Sequence, residues 1–255
     1  MSGNRTLAVL VFVGFVSNMV MAQNTQLSSI HPTGHKPKSK KVRPLNFPVI
    51  ETGDSAVDAN INQHLKKDFL GVDSVEIDLQ QALDTWIDGV DFLDYEVTYD
   101  QYGLLSLLIS AEGCGAYCTS WSEPYVFSTY SGKEVELYDF MDTTRFIPFL
   151  REQVNNRYTF ARYTIKHYLG DSLTGVDTTD YEWALEVYEQ CQKDFYPDDF
   201  LLYDDRIEIL APCPMPNAIK TLTPLVDLSY SRYDLSPYLK YRTGPDSPLF
   251  MMDKP

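Results

Sequence analysis

The chain has 255 residues, 44% hydrophobic and 13% aromatic, which is enough to build a substantial core and excludes a disordered or low-complexity protein. All 36 acids lie from Leu45 onward, whereas six of the 21 bases (Arg5, Lys36, Lys38, Lys40, Lys41 and Arg43) precede it, so the rest carries 15 bases and a net charge of −21. Phosphate contacts need a basic face, so nucleic-acid binding by the folded part is disfavoured, and a cationic partner would be steered toward it.

Met1 to Ala22 carries one base, Arg5, ahead of an apolar run from Leu7 to Val20, and ends in Val20-Met21-Ala22. That is the layout of a cleavable secretory signal, residues 1–22, cut after Ala22. The run is shorter than the roughly 20 residues that span a bilayer, so the expectation is an exported protein, periplasmic or extracellular, with no membrane span after signal cleavage. Residues 23–44 are polar and basic and broken by Pro32, Gly34, Pro37 and Pro44, which predicts a flexible basic leader. His31 and His35 stand four apart, but Pro32 and Gly34 between them disfavour a helix, and a solvated tail fits better than a metal site.

From Asp54 the pattern becomes helical. Val57, Ile61, Leu65 and Phe69 recur every four residues between an Asp54 or Ser55 cap and Gly71. A weaker helical signal covers Leu79 to Ile87. The period then drops to two: Leu93, Tyr95, Val97 and Tyr99 share one face of a strand, with Asp94, Glu96, Thr98 and Asp100 on the other. Gln101-Tyr102-Gly103 turns the chain into a buried strand from Leu104 to Ala111. The cysteine-bracketed turn Gly113 to Cys118 leads into an aromatic strand, whose Trp121, Tyr125 and Phe127 on one face read as core. Short turns between these strands predict an antiparallel meander.

Two helices follow. The first shows a stripe from Ile147 through Leu150, Val154, Tyr158, Ala161 and Ile165 to Leu169, with Pro148 tolerable only in its first turn. The second opens on a capping-box spacing at Thr179 and Glu182 and continues through Tyr188, Cys191 and Phe195. A hairpin around Asp204-Asp205 and a strand near Leu225 to Tyr230 complete the order. The fold class is α+β, an antiparallel sheet built from hairpins with helices packed on one face. Residues 45–245 form either one unit or two fused subunits, about 45–100 and 101–245, followed by a tail, 246–255.

Four cysteines in an exported chain point to two disulfides. Of the three connectivities, Cys114–Cys118 with Cys191–Cys213 is preferred, because Cys191 sits on the sheet-facing stripe of its helix and Cys213 follows a strand.

From about Leu45 to Leu239 the order of motifs resembles the extracytoplasmic domain of RsiV-type anti-sigma factors, found also as the non-catalytic domain of PdaC-type peptidoglycan deacetylases. The matching pieces are Phe47-Pro48-Val49-Ile50 ahead of a helix with Asn60-Ile61-Asn62, then Tyr130-Ser131-Gly132-Lys133 and Leu137-Tyr138-Asp139-Phe140. Tyr203-Asp204-Asp205-Arg206-Ile207 and Tyr233-Asp234-Leu235-Ser236-Pro237-Tyr238-Leu239 complete the order. The chain departs from that pattern at Gly113 to Cys118, where many relatives have a Gly-Gly-Ala-His turn, and these residues are not expected to include the metal-dependent deacetylase domain. The resemblance implies a cell-envelope setting and a ligand such as a lysozyme.

No nucleophile elbow, phosphate-binding glycine loop or zinc-hydrolase histidine pair is present, and no cofactor is expected. Asp198-Asp199 and Asp204-Asp205 read as ordinary turns, without the spacing of a calcium loop. The candidate binding residues are Tyr102 and Tyr117, at hairpin tips, with Glu112 and Glu123, which flank the cysteine turn. The leading expectation is an exported cell-envelope binding module without catalysis, recognising a cationic lysozyme-like protein or a peptidoglycan-type glycan. The alternative is an envelope glycan hydrolase working through acidic residues such as the Glu112/Glu123 pair.

Overall fold

The computed structural model describes residues 25–34, 43–168 and 177–240, and the signal-peptide reading of residues 1–22 lies outside them. The elements run β1 (Gln26–Ile30), β2 (Phe47–Glu51), α1 (Ser55–Asp68), α2 (Leu79–Trp86), β3 (Val90–Gln101), β4 (Leu104–Cys114) and β5 (Cys118–Ser128). After a 3-10 turn at Leu137–Asp139 come α3 (Thr143–Tyr168), α4 (Thr178–Asp194), β6 (Phe200–Leu202), β7 (Arg206–Ile209), β8 (Leu228–Ser231) and the short α5 (Arg232–Leu235). This is an α+β fold whose strands form three antiparallel sheets, β1-β2, β3-β4-β5 and β6-β7-β8.

Within residues 23–44 the leader reading fails for β1, which pairs with β2 along its whole length, Ser28 opposite Val49. Leu27 and Ile30 supply the reason: both are partly buried against the core formed by β2, α1 and the central sheet. Across residue 100, the expected junction of the two fused subunits, β3 and β4 pair as one hairpin from Val90↔Gly113 to Gln101↔Leu104. Tyr102 and Gly103 make the two-residue loop, with φ of 54° and 78°. Positive φ at both positions matches the twist of a tight hairpin.

The central sheet β3-β4-β5 is shared by two cores. Leu105, Leu107, Ile109, Ala111, Tyr125 and Phe127, alternate residues on one face, pack with α1, α2 and β2. Leu104 and Val126, on the other face, pack with α3, α4 and the third sheet. A register shift between Val97 and Tyr99 carries Tyr99 across to this second core, whereas alternation predicts it beside Leu93 and Tyr95. Ser106 Oγ accepts two hydrogen bonds, one within the central sheet from Thr98 Oγ1 (2.8 Å) and one from the Leu202 amide of β6 (3.1 Å), which ties the third sheet to it. They account for why Ser106 can be buried at the centre of the molecule.

The helices start where their caps dictate. Asp54 accepts from the amides of Ala56 and Val57 at the head of α1, and Asp78 with Gln81 makes a full capping box on α2. α4 begins earlier than its Thr179/Glu182 spacing suggests, with Asp177 accepting from the Thr179 amide. In α3 the Thr144 hydroxyl and amide both donate to Asp142, so the helix opens at Thr143. Pro148 therefore stands in the second turn, not the first, and removes one intrahelical bond there.

Candidate functional site

Disulfides join Cys114 to Cys118 and Cys191 to Cys213, with Cα separations of 4.0 and 5.5 Å. The first closes the β4–β5 turn across a directly paired position. The second fastens α4 to the segment after β7. Two such bridges fit an exported protein, and no described helix is long and apolar enough to cross a membrane.

The four sequence-predicted binding residues do not come together. Tyr102 and Tyr117 sit at opposite ends of β4, whose 11 residues at about 3.4 Å each hold the two tips roughly 35 Å apart. Tyr117 is 73% exposed and Tyr102 40%. Glu112 pairs with Ser120 across the β4–β5 ladder, whereas Glu123 pairs with Ile109. An odd offset separates these positions along each strand, so the two carboxylates project from opposite faces of the sheet. They cannot act as an acid–base pair on one glycosidic bond. Glu112 is instead held by Arg43 and by Ser120 (2.9 Å), which keep its carboxyl below the usual range. Arg43 lies over the Phe92 ring, 4.7 Å from its centroid. Glu112, Cys114 and Cys118 are the one group of potential metal ligands brought together among the described residues, and the disulfide consumes both sulfurs.

Glu123 belongs to a different constellation, at the seam between the two cores. Asp68 ends α1, Glu123 and Tyr125 are neighbours on one face of β5, Glu134 follows the turn after β5, and Asp198-Asp199 lead into β6. The Tyr125 hydroxyl donates to Asp68 at 2.7 Å, and its phenol is pushed far up by burial and by the surrounding carboxylates. Burial raises the Glu123 carboxyl, and the charges of Asp199 and Asp68 raise it further. Burial likewise raises Glu134, with Asp68, Glu136 and Asp198 adding to it and His64, 3.3 Å away, working against it. Asp198 is raised by burial and then by Asp199 and Glu136, and Asp199 by burial alone.

Neighbouring carboxylates thus disfavour the charge on Glu123, Glu134 and Asp198, and no lysine or arginine pairs with any of the five acids among the described residues. His64, edge-on to Tyr125 and Phe127, is the one basic group in contact. Asp198 and Asp199 also line a cavity of about 560 Å³, together with Tyr158, Phe195, Tyr196 and Pro212 beside the Cys191–Cys213 bridge. The Tyr196 ring packs against Tyr138 at 5.5 Å. An ammonium or guanidinium entering there would meet carboxylate charge and the exposed Tyr196 ring.

Sequence reading missed this cluster because its members lie up to 131 positions apart, from Asp68 to Asp199, and each is locally ordinary. The available signal was the surplus of acids in a folded region, which says that carboxylates must crowd somewhere and not where.

No protein-family model and no curated protein matches the chain significantly. Among solved structures, a member of the DUF3298 family from Bacteroides fragilis aligns over 85% of this chain and 94% of its own, with a TM-score of 0.47 and 11% sequence identity. At that level the likeness assigns neither ligand nor activity.

Proposed function

We propose that the chain is an exported cell-envelope binding module, without catalysis, whose acidic seam takes a cationic segment of a protein partner. The observation that carries this reading is a group of five carboxylates, three of them raised by their acidic neighbours, with no lysine or arginine paired to any of them among the described residues, in a region whose net charge already attracts positive partners. A lysozyme-like protein is the partner that the sequence resemblance puts forward, and it meets the requirement of a strongly basic surface. The adjoining cavity, with Tyr158 and Tyr196 in its wall, would supply the desolvated centre that turns attraction into recognition.

Titration calorimetry of the mature protein against several lysozymes at about 0.15 M salt tests the reading, because long-range attraction is screened beyond roughly 8 Å there. Saturable binding should weaken in the triple variant Glu123→Gln/Asp198→Asn/Asp199→Asn. It should persist in Glu182→Gln/Glu186→Gln/Glu189→Gln, which removes the same charge from the exposed side of α4. Equal weakening in both would reduce the effect to net charge, and no saturation with any lysozyme would remove the partner.

A second reading has one observation in its favour. Carboxyls held above their usual range, such as Glu123 and Glu134, suit a general acid in glycan hydrolysis. Release of new reducing ends from purified peptidoglycan, lost in Glu123→Gln or Glu134→Gln, would favour it over pure binding.

A further inference from the structure

α3 is a basic helix in an acidic chain: Arg145, Arg151, Arg157, Arg162 and Lys166 face a single acid, Glu152, for a net of +4. Some of these bases are engaged. Arg162 donates to Gln192 and stands over the Tyr158 ring, and Arg145 stands over Tyr238. Arg157 makes no ion pair or hydrogen bond among the described residues.

Arg157 stands on the wall of an open groove of about 520 Å³, formed by α3, α4 and the segment after the 3-10 turn Asn217–Leu222. Phe160, Ile165, Tyr181, Leu222 and Leu225 are among its apolar lining, and no carboxylate lines it among the described residues although the chain holds 36 acids. Its two apolar lips are left in water, Phe160 at 70% and Leu225 at 89% exposure. Large apolar side chains exposed in pairs across a concave surface are a mark of a binding groove rather than of ordinary surface scatter.

We propose that this groove binds a single-chain amphiphile with an anionic head group, the chain lying between Phe160 and Leu225 and the head group on Arg157. Charge complementarity selects this occupant. The chain as a whole repels an anion, whereas here a guanidinium without an ion pair stands on a basic helix beside an apolar trough, with no carboxylate in its lining among the described residues. The volume falls within the range of small-molecule sites. The groove is formed by α3, α4 and the 221–225 segment, apart from the acidic seam, so the two proposals stand or fall separately.

Dodecanoate, used below its micellar concentration, is the probe, titrated into the mature protein by calorimetry, with cosedimentation on phosphatidylglycerol vesicles as a second arm. Saturable one-to-one binding of dodecanoate is expected, weakened about tenfold in Arg157→Gln, as loss of one charge-assisted contact implies. Phe160→Ser and Leu225→Ser should each weaken it several-fold. All three side chains are solvent-exposed, so the variants should keep the parent circular dichroism spectrum. Absence of saturation, or affinity unchanged by all three variants, overturns the proposal. Vesicle binding without binding of monomeric dodecanoate overturns it too and makes the face a membrane surface instead.

Discussion

The turn Ser131-Gly132 carries Glu134 to the acidic seam, and a single methyl group tests how it is seated. Gly132 has φ +69°, and a Cβ built there would meet the Val57 carbonyl oxygen and the Asn60 Cβ, both at 2.7 Å, with the Val57 Cα at 3.2 Å. These atoms belong to the body of α1 and cannot step aside. Gly103 provides the control. Its φ is +78°, and its added Cβ would come within 2.0 Å of Tyr130 Cε2, a nominally worse clash. Yet Tyr130 is 55% exposed and its ring can swing into solvent. Gly103→Ala should therefore cost only the left-handed backbone penalty, about 1–2 kcal/mol. Gly132→Ala should add about 1–3 kcal/mol of overpacking to a penalty of the same size. At about 2–4 °C per kcal/mol for a domain of this length, the Gly132 variant should melt several degrees below the Gly103 variant. Thermal unfolding followed by circular dichroism measures the difference. The His64 ring signals in NMR should move in Gly132→Ala and stay in Gly103→Ala, since His64 lies 3.3 Å from Glu134. Equal losses in the two variants, or a larger one at Gly103, would refute the argument that the turn is wedged against α1.

Two other outcomes follow from charge and from chain entropy. Glu123, Glu134, Asp198 and Asp199 have carboxyls raised above the ordinary 3.8–4.5, so the folded state binds their protons more tightly than the unfolded one, and stability should rise as pH falls from 7.5 towards 5. Below about pH 4 it should fall again, as the lowered carboxyls of Asp84, Glu112, Asp142 and Asp177 lose their hydrogen-bonded charge. Glu123→Gln/Asp199→Asn should raise the melting temperature at pH 7.5 and flatten the rise towards pH 5; a decline from pH 7.5 to 5 in the parent protein would contradict this. The bridges close loops of 22 and 4 residues, for which chain entropy gives about 3 and about 2 kcal/mol, so urea midpoints should drop further for Cys191→Ser than for Cys114→Ser. The reverse order would show that native packing, not loop length, sets their worth.

Local periodicity made the elements legible and left the junctions obscure. The four-residue repeat of Val57, Ile61 and Leu65 marks α1 and its buried face, and all three are buried. Alternation marks β3, but nothing in Val97-Thr98-Tyr99 announces the register shift that sends Tyr99 to the second core. β1 was hidden for a different reason. Five residues with two apolar side chains carry too little pattern to outweigh the prolines and lysines that follow, and only β2's unpaired edge makes Gln26–Ile30 a strand. The site was least legible of all. Glu112 and Glu123 look like partners along the chain, yet the pairing Glu112↔Ser120 and Glu123↔Ile109 sets them on opposite faces. The acids that do meet are joined by tertiary contacts between α1, β5 and the approach to β6, a relation no local window contains.

If the seam takes a cation as proposed, it sets stability against recognition. Both cores end on the central sheet, and near its rim the charge of Asp199, before β6, raises the carboxyl of Glu123, exposed on β5. Neutral residues of similar volume, glutamine or asparagine, would remove the repulsion, and a chain selected only for folding would gain from the change. Carboxylates kept there hold a deficit that hydrophobic burial elsewhere must outweigh. A cation that enters relieves the deficit as it binds, so its affinity includes the relief of native repulsion as well as the new contacts, and it stabilises the fold through mass action. The same relief can come from protons at lower pH, which places ligand and acid in competition for one set of oxygens. Affinity for a cationic partner should consequently weaken over the pH range in which the unliganded protein grows more stable, and that inverse relation is what separates a seam built for binding from carboxylates that merely crowd.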